Sequence, residues 1–348
     1  MRRSSPPASS CSATASLTPG VSVLLPVRDA GEALSACLDS LAAQSLADHE
    51  VIAVDDGSSD ASGERLRERA ARDPRLHVLR TRARGIVAAL NLALAQARAE
   101  VVARMDADDV AHVERLRLQA ERLARDAEVD VLGCRVAPGA RAGRGMRDYV
   151  DWVNGLADHD AMAKARYVES PIVHPSVAMR TRALRGLGGY RDFDGPEDYD
   201  LWLRAFDAGL RFAKLPEVLL EWRDSPGRLT RTDPRYSPRA FARLKAASLA
   251  RGALAGRAAV VWGAGPIGKA FARALADAGL RVEAFLEVDR RKIGQRIHGV
   301  PVASVGEARR FRGALHLGAV GQKGARERMR EEALHLGLVE GRDFLAVA

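Results

Sequence analysis

Apolar and polar positions alternate in blocks along the first hundred residues, and the blocks predict strands and helices in turn. Short apolar runs at 21–27, 51–54, 76–79 and 101–105 predict four buried strands. Between them, apolar residues recur at helical spacing, at Leu34, Cys37, Leu38 and Leu41 and again at Val87, Leu90, Leu94 and Ala97. This rhythm predicts an α/β fold, with a mostly parallel sheet and helices on both faces.

The rest of the chain is patterned less regularly until about residue 257. Residues 138–145 predict a loop, and Asp194 and Pro196 are the N-cap and first-turn residues of a predicted helix. From 257 onward a second strand–helix unit begins. The pattern therefore divides the chain into a disordered tail (1–19), a first domain (20–235), a basic helical linker (236–256) and a small α/β domain (257–348).

Composition narrows the class of protein. A chain of 348 residues suits two domains. The net charge of +9 comes without any nucleic-acid-binding motif, so we expect no nucleic-acid partner. A phosphorylated substrate, an anionic membrane surface and scattered surface arginine remain as explanations. Three scattered cysteines, Cys11, Cys37 and Cys134, and the lack of a membrane-spanning run favour a cytoplasmic protein, peripheral to the inner face of the membrane at most. The oligomeric state stays open.

Acidic residues follow two of the predicted strands at the point where each strand ends. Asp55 and Asp56 come after the second strand, and Asp106, Asp108 and Asp109 come after the fourth. Ligands of parallel sheets bind beyond the carboxyl ends of the strands. Carboxylates two positions apart suit Mg²⁺ or Mn²⁺, which stabilise a departing diphosphate. A solvated turn that caps the next helix would have the same composition.

Five ordered stretches together resemble family 2 inverting glycosyltransferases of the GT-A fold. The resemblance covers the first ~220 residues and implies transfer of a sugar from a nucleotide-diphosphate sugar, with UDP favoured. It also implies a glycan or lipid-linked acceptor and a role in cell-surface polysaccharide biosynthesis. The stretches are Val21-Ser-Val-Leu-Leu-Pro-Val27, Val54-Asp-Asp-Gly-Ser-Ser-Asp60, Gly85-Ile-Val-Ala-Ala-Leu-Asn91, Arg104-Met-Asp-Ala-Asp-Asp109 and Gly195-Pro-Glu-Asp-Tyr-Asp-Leu-Trp202.

The resemblance also assigns roles around the nucleotide sugar. It makes Asp108 the main metal ligand, with Asp106 on ribose or metal and Asp109 in support. The sequence departs from the family at Arg28 and Asp29, where an aromatic residue and Asn are frequent, and this leaves the base of the donor open. By the resemblance, the base pocket and the adjoining wall are lined by Pro26, Asp55, Asp56, Gly85 and Asn91.

On the acceptor side, the resemblance makes Asp198, beside Glu197, the general base. Inverting transfer requires a group that takes the proton of the acceptor hydroxyl. We expect the helix N-terminus to keep Asp198 ionised near neutral pH, although acidic residues here are also typical of any helix start. His174 and Trp202 are candidate acceptor contacts. For His174 the alternatives are an extra metal ligand or a hydrogen-bonded structural histidine, and for Trp202 the alternative is a core tryptophan.

The C-terminal unit carries a glycine fingerprint between a predicted strand and helix. Gly263, Gly265 and Gly268 are followed by Glu287 at the spacing of a ribose-binding acid, which indicates NAD(P) or another nucleotide. The unit resembles the small Rossmann-like domains that accompany sugar-modifying enzymes. Regulation by a nucleotide, assembly without a ligand and a true cofactor site all stay open, with the first two favoured.

Two other functions also fit parts of the pattern. A nucleotidyltransferase has a similar fold but normally carries a glycine-rich basic loop after the first strand, which residues 26–29 do not supply. A catalytically inactive nucleotide-binding or scaffold protein would keep the same motifs.

Overall fold

The computed structural model describes residues 19–225, 228–322 and 324–348. The predicted tail, residues 1–19, lies outside the described residues except for its last position, as does Cys11. Two sheets organise the described part, one of eight strands and one of six. None of the described helices has the length and apolar character that crossing a bilayer requires.

The first sheet contains the four predicted strands, side by side and parallel. β1 lies between β2 and β4, and β3 forms one edge. In β1, β2 and β4 the inner positions are almost wholly apolar and buried, as expected of strands covered on both faces, whereas the edge strand β3 is partly exposed. The bounds are β1 Val21–Val27, β2 His49–Asp55, β3 Leu76–Arg80 and β4 Val101–Arg104.

The other half of this sheet contains its antiparallel pairings, within a sheet that is mostly parallel as expected. β7 runs antiparallel to both β4 and β6, and β5 runs antiparallel to β8, so the sheet is mixed. The strand order is β3-β2-β1-β4-β7-β6-β8-β5. The bounds are β5 Val110–Ala111, β6 Val131–Pro138, β7 Ala178–Arg180 and β8 Phe212–Trp222.

Helices cover both faces of the first sheet and bury two apolar clusters against it. The four apolar residues predicted to line the first helix are all buried. The helix predicted from Asp194 starts later than expected, because Pro196 occupies the N-cap position and Glu197 is the first helical residue. The bounds are α1 Ala33–Ala42, α2 Ser62–Ala70, α3 Ile86–Gln96, α4 Arg115–Arg125, α5 Arg144–Gly155, α6 His159–Ala165, α7 Thr181–Gly186, α8 Glu197–Asp207 and α9 Leu229–Thr232.

The second sheet has the strand order β11-β12-β10-β9-β13-β14. Its strands are parallel apart from the short β11, which forms an antiparallel hairpin with β12. The bounds are β9 Ala259–Trp262, β10 Val282–Glu287, β11 Arg296–Ile297, β12 Val300–Ser304, β13 Leu315–Gly318 and β14 Phe344–Ala346, with α10 Pro238–Arg251, α11 Pro266–Asp277 and α12 Ala325–His335.

The segment predicted as a basic linker is a packed helix. α10 buries its apolar face in a cluster that also contains Tyr199, from the unit of the first sheet, and Phe285, from the unit of the second sheet. Its Lys245 is buried. Arg243 is paired with Asp194, so its charge is neutralised within the chain.

Candidate functional site

Three carboxylates meet where β4 ends. Asp106, Asp108 and Asp109 each offer an oxygen atom, and these atoms all lie within 4.8 Å of one another. Asp109 is fully buried, and one of its oxygens accepts a hydrogen bond of 2.8 Å from the backbone N–H of Arg223. Its other oxygen, Oδ2, is buried without a hydrogen-bond partner among the residues that the structure describes.

The cluster is electrostatically costly as it stands. Burial and the neighbouring charges of Asp106 and Asp108 raise the pKa of Asp109 well above its ordinary value. Burial and the charge of Asp106 likewise raise the pKa of Asp108, although the hydroxyl of Ser225 donates to it and the Arg228 charge opposes the shift. Carboxylates are hard oxygen ligands, and a divalent cation would compensate their mutual repulsion. The three residues therefore fit Mg²⁺ or Mn²⁺.

A buried arginine connects this cluster to the start of α8. The guanidinium of Arg104 is ion-paired with Asp106. Burial opposes its charge, but Asp106 and the more distant Glu197 raise its pKa overall. The buried Arg115 donates a hydrogen bond of 2.7 Å to the backbone carbonyl oxygen of Arg104 and thereby fixes the chain at the end of β4. The acid cluster and the Glu197–Asp198 pair thus lie around one positive charge.

Asp198 differs electrostatically from the sequence prediction. The side chain accepts a 2.7 Å hydrogen bond from the backbone N–H of Tyr199 at the helix N-terminus, as a carboxylate would. Burial, followed by the charge of Glu197, nevertheless raises the pKa of Asp198 to about 7. The helix N-terminus therefore does not keep Asp198 fully ionised at neutral pH, as the sequence led us to expect. Desolvation and a like charge outweigh the helix terminus.

Glu197 is more deeply buried than Asp198 and already has a partner. Its Oε2 accepts a hydrogen bond of 2.6 Å from the hydroxyl of Tyr236. Burial raises the pKa of Glu197, and this hydrogen bond counteracts the shift. Glu197 therefore supports Asp198 through charge, while Asp198 is half-buried and more accessible.

The two aspartates at the end of β2 shape the loop that would surround the nucleobase of a donor. Asp56 accepts hydrogen bonds of 2.7 Å from the backbone N–H groups of Arg84 and Gly85, and another from the hydroxyl of Thr81. Burial alone would raise the pKa of Asp56, but these bonds lower it overall. Asp55 accepts from the backbone N–H of Ser58 at 2.9 Å.

Two other predicted pocket residues adjoin the same loop. Gly85 has φ of +90°, which favours glycine, and its N–H points at Asp56. Pro26 lies near the end of β1, beside Val54 in the register of the sheet. After it, Asp29 has φ of +47° and accepts from the backbone N–H of Ser59 at 2.7 Å. Aspartate and asparagine both tolerate this backbone conformation, so the departure from the family pattern at Asp29 preserves the turn.

Asn91 is used as a clamp between distant segments. Its side-chain amide donates to the backbone carbonyl of Tyr190 at 2.8 Å and accepts from the backbone N–H of the same residue at 2.9 Å. Both polar atoms of the amide are thereby engaged. In this structure Asn91 positions Tyr190, whose hydroxyl lies 2.9 Å from the Nε2 atom of His174.

The structure places the two acceptor-side candidates in the interior. His174 is buried, and burial followed by the Arg104 charge lowers its pKa well below the ordinary value. Trp202 is 1% exposed and makes an edge contact with the His174 ring at 5.7 Å. Their positions correspond to the alternatives given above, a hydrogen-bonded structural histidine and a core tryptophan.

The C-terminal glycines surround the turn between β9 and α11. Gly263 has φ of +96°, and a Cβ on Gly268 would lie 1.9 Å from the carbonyl oxygen of Gly263. Gly265 has open space around it. The carboxylate of Glu287 accepts from the backbone N–H of Ala264 at 3.0 Å and from Lys292 at 3.1 Å. The acid expected to bind ribose is thus bonded to the glycine turn itself.

Comparison with known proteins decides the family. The family model described as glycosyl transferase family 2 matches residues 22–188. The putative glycosyltransferase EpsE of Bacillus subtilis is 30% identical over 225 residues, which cover 63% of this chain and 78% of that protein. The chain belongs to glycosyl transferase family 2.

Other family 2 relatives have more specific names. The amylovoran biosynthesis glycosyltransferase AmsE of Erwinia amylovora is 32% identical over 55% of this chain and 71% of its own length. A UDP-Gal:alpha-D-GlcNAc-diphosphoundecaprenol beta-1,3-galactosyltransferase of Escherichia coli is 26% identical over 60% of this chain and 75% of its own length.

Solved structures agree on the fold. TarS of S. aureus, in complex with UDP-GlcNAc, superposes with a TM-score of 0.52 at 21% identity, over 66% of each chain. The mannosyltransferase PcManGT of Pyrobaculum calidifontis, in complex with GDP-Man and Mn²⁺, superposes with a TM-score of 0.50 at 25% identity, over 67% of this chain and 63% of that one. The first sheet is therefore a GT-A-like glycosyltransferase fold.

Several residues around the site of this family 2 enzyme have no signal in the sequence. Ser225 and Arg228 approach Asp108 from the segment after β8, and Tyr236 reaches Glu197 from the turn before α10. Ser225 and Arg228 lie more than 100 residues from Asp108 in the sequence, and Tyr236 lies nearly 40 residues from Glu197. None of the three belongs to a recognisable motif. Only four arginines spaced through residues 223–235 mark the segment.

Proposed function

We propose that this enzyme transfers a sugar, with inversion, from a nucleotide-diphosphate sugar to a glycan or lipid-linked acceptor in cell-surface polysaccharide biosynthesis. One observation carries the proposal: Arg104 holds the acid cluster beside Glu197 and Asp198 at one end of the sheet. A group suited to the donor diphosphate and a group suited to the acceptor proton therefore share one site. The names of the amylovoran and galactosyltransferase relatives support the pathway, and the latter supports UDP and a lipid-linked acceptor.

Asp198 is the proposed general base. Its ionised carboxylate takes the proton of the acceptor hydroxyl, whose oxygen forms a bond to the anomeric carbon. The bond from that carbon to the diphosphate oxygen breaks on the opposite face, and the nucleoside diphosphate leaves with the electron pair. Glu197 keeps the proton affinity of Asp198 high by its charge, and Tyr236 holds Glu197 in place.

Asp108, with Asp106 and Asp109, is the proposed holder of Mg²⁺ or Mn²⁺. A bound cation would supply Lewis-acid stabilisation of the charge on the leaving diphosphate. The buried, unpartnered Oδ2 of Asp109 and the raised pKa values of Asp108 and Asp109 fit this role. The Mn²⁺ in the complex of the mannosyltransferase relative supports it as well. The proposed pocket for the nucleobase of the donor is formed by Pro26, Asp55, Asp56 and Gly85.

For residues 257–348 we infer a Rossmann-like domain. The order β12-β10-β9-β13-β14, with a glycine turn after the central β9, is the arrangement of such folds. We favour a regulatory nucleotide or an assembly role for it. The proposal of NAD(P) gains no support, because the Glu287 carboxylate is held by Ala264 and Lys292.

Thermal unfolding with a panel of nucleotide sugars tests the proposed function. A bound donor raises the melting temperature by mass action, and we expect UDP-sugars to do so only with Mg²⁺ or Mn²⁺ present. Asp108→Ala should abolish the metal-dependent shift, whereas Asp277→Ala, an exposed aspartate in the second unit, should keep it. Asp198→Asn should bind donor normally but transfer sugar about 10²–10⁴-fold more slowly. Donor binding that depends neither on the metal nor on Asp108 would contradict the proposed metal site. Full-rate transfer by Asp198→Asn would contradict the assignment of Asp198 as the general base.

A further inference from the structure

Three half-buried aromatic rings form a row that leads away from the acid cluster. We call Trp222, Tyr149 and Trp152 the aromatic row. The ring centroids of Trp222 and Tyr149 are 5.8 Å apart, and those of Tyr149 and Trp152 are also 5.8 Å apart. Tyr149 and Trp152 stand three residues apart on α5, which puts them on one face of that helix.

The row begins at the catalytic end of the molecule. Trp222 directly precedes Arg223, whose backbone N–H binds Asp109, and the guanidinium of Arg228 lies 4.3 Å from the centroid of the Trp222 ring. The same Arg228 lies close enough to Asp108 to affect its pKa. Burial, then the charges of Glu169 and Asp198, raise the pKa of the Tyr149 hydroxyl, and the Arg228 charge opposes that shift. The first two rings therefore lie beside the proposed base and the acid cluster.

The row ends at a cavity of about 430 Å³. Trp152 lines this cavity, which is bounded by α6 on one side and by α12 on the other. A volume of that size is typical of small-molecule sites. The ionisable residues of the lining are three acids and three bases: Asp158, Asp160, Glu340, Lys164, Arg326 and Arg330.

The chemistry of the row and the cavity favours a neutral polyhydroxylated occupant. The lining carries no net charge, because its three carboxylates match its three cations, so a phosphate or an anionic headgroup gains little there. Aromatic faces cover the apolar C–H faces of a sugar ring while the hydroxyls at the ring edge stay hydrated or bind charged groups. The hydroxyl of Tyr149 donates a hydrogen bond of 2.8 Å to the carbonyl oxygen of Ser170, so the ring rather than the hydroxyl is available to a ligand.

We propose that the aromatic row and this cavity bind the preceding sugars of a neutral oligosaccharide acceptor, beyond the sugar that receives the transferred residue. This inference rests on the proposed function, since it extends the acceptor away from Asp198. The two distances between neighbouring ring centroids are together comparable with the length of two linked sugar rings. The affinity for the acceptor therefore depends on the number of sugars in the acceptor. The site selects an oligosaccharide over a single sugar.

Intrinsic fluorescence of the full chain tests the proposal. Of its four tryptophans, Trp202 and Trp262 are buried in the core, so Trp152 and Trp222 report on ligands at the surface. The probes are neutral gluco- and galacto-oligosaccharides of increasing length, from the monosaccharide upward. We expect the affinity for at least one series to increase about tenfold or more with length before it levels off. Trp152→Ala should remove that gain, Trp152→Phe should keep most of it, and Val288→Ala, on the exposed surface of the second unit, should have no effect.

Nucleotide-sugar thermal shifts, measured on the same variants, separate the two proposals. If wild type and Trp152→Ala both show the metal-dependent donor shift, the variant is folded and the proposed function stands. In that case, affinity that is independent of length, or a length effect that survives Trp152→Ala, overturns the acceptor inference alone. Tighter binding of anionic phospholipid vesicles than of any neutral oligosaccharide would overturn it too. Loss of the donor shift in the wild type would instead refute the proposed function.

Discussion

Arg104 is the residue on which the electrostatics of the site depend. Its guanidinium pairs with Asp106, and its charge also acts on Glu197, Asp198 and His174. Five acidic groups crowd this region, and one buried arginine keeps their repulsion tolerable. Burial, followed by the same positive charge, lowers the pKa of His174, which keeps that imidazole neutral. Arg104 is therefore a positioning residue for both halves of the site.

The pH dependence of transfer follows from Asp198. Only the ionised carboxylate accepts a proton, and burial with the Glu197 charge raises the pKa of Asp198 to about 7. We therefore expect kcat/KM to be low in acid, to increase with pH and to level off above an inflection at or below about 7, because a cation at the acid cluster also favours the ionised form. A pH–rate profile with saturating Mn²⁺ measures this limb.

Two variants control the interpretation of that profile. Glu197→Gln removes the negative charge next to Asp198, so its inflection should move to lower pH. Asp198→Asn should leave a slow rate without the limb. A wild-type profile that is flat from about pH 5 to about pH 8 would show that another group takes the proton.

Asn91 should matter for stability and little for the donor. Asn91→Ala removes two hydrogen bonds to the backbone of Tyr190, and each contributes about 1 kcal/mol net. We expect the free energy of unfolding, measured in urea, to decrease by about 2 kcal/mol. The KM for the donor should stay within a factor of about two of wild type. A large increase in that KM at unchanged stability would instead support direct contact with the nucleotide.

At the scale of elements, the sequence predicted what local pattern determines. β1 spans the predicted residues 21–27, and the helical apolar stripe from Val87 matches α3. Asp106, Asp108 and Asp109 come together because a strand ends immediately before them. Residues this close in the sequence can be predicted to lie close in space. Asp198 comes from a helix ninety residues later and interacts with the cluster through the charges of Arg104 and Asp106. The motif order of a known family was needed to suggest it.

The remainder depends on contacts that no local pattern encodes. β7 is three residues long and enters the sheet antiparallel between β4 and β6, so neither its length nor its period marks it. The raised pKa of Asp198 was not predicted, because the sequence shows the helix start but hides the burial. Trp152 and Tyr149 show only helical spacing in the sequence, since Trp222 joins them from a distant strand.

The turn between β9 and α11 yields a matched pair of substitutions. A Cβ on Gly268 would lie 1.9 Å from a backbone carbonyl, whereas one on Gly265 meets nothing within 4 Å. We expect Gly268→Ala to lower the free energy of unfolding by at least about 2 kcal/mol, as overpacking against rigid backbone does. Gly265→Ala should change it by less than about 1 kcal/mol. Denaturant titration of both variants checks this, and equal losses would show that the turn adjusts to a side chain at either place.

Over the whole molecule, α10 makes the two sheets one packed body. Tyr167, Tyr199 and Leu203, which belong to the glycosyltransferase part, share an apolar cluster with Phe271 and Phe285 of the second unit. The turn that precedes α10 supplies Tyr236 to Glu197. The second unit is therefore connected, through this cluster and the turn before α10, to Glu197 at the start of α8.

Lys245 is the polar element of this junction, and its removal should loosen both sides together. Its ammonium donates to the carbonyl of Val168 at 2.8 Å and to that of Val347 at 3.1 Å. Burial lowers the pKa of Lys245 to about 8, so below that pH it stays charged and bonded to both carbonyls. Lys245→Met keeps the volume but leaves the two carbonyls without this donor, at a cost of about 1–3 kcal/mol.

Hydrogen exchange locates that effect. In Lys245→Met, amides of β14 and of the segment around Val168 should exchange faster by similar factors, because one donor serves both segments. Lys269→Met, an exposed lysine on α11, is the matched control and should leave both segments protected. Faster exchange in β14 alone would mean that the second unit opens without disturbing the glycosyltransferase part. Coordinated loosening of both segments would make Lys245 the link through which the second unit stabilises the segment around Val168 in the glycosyltransferase part.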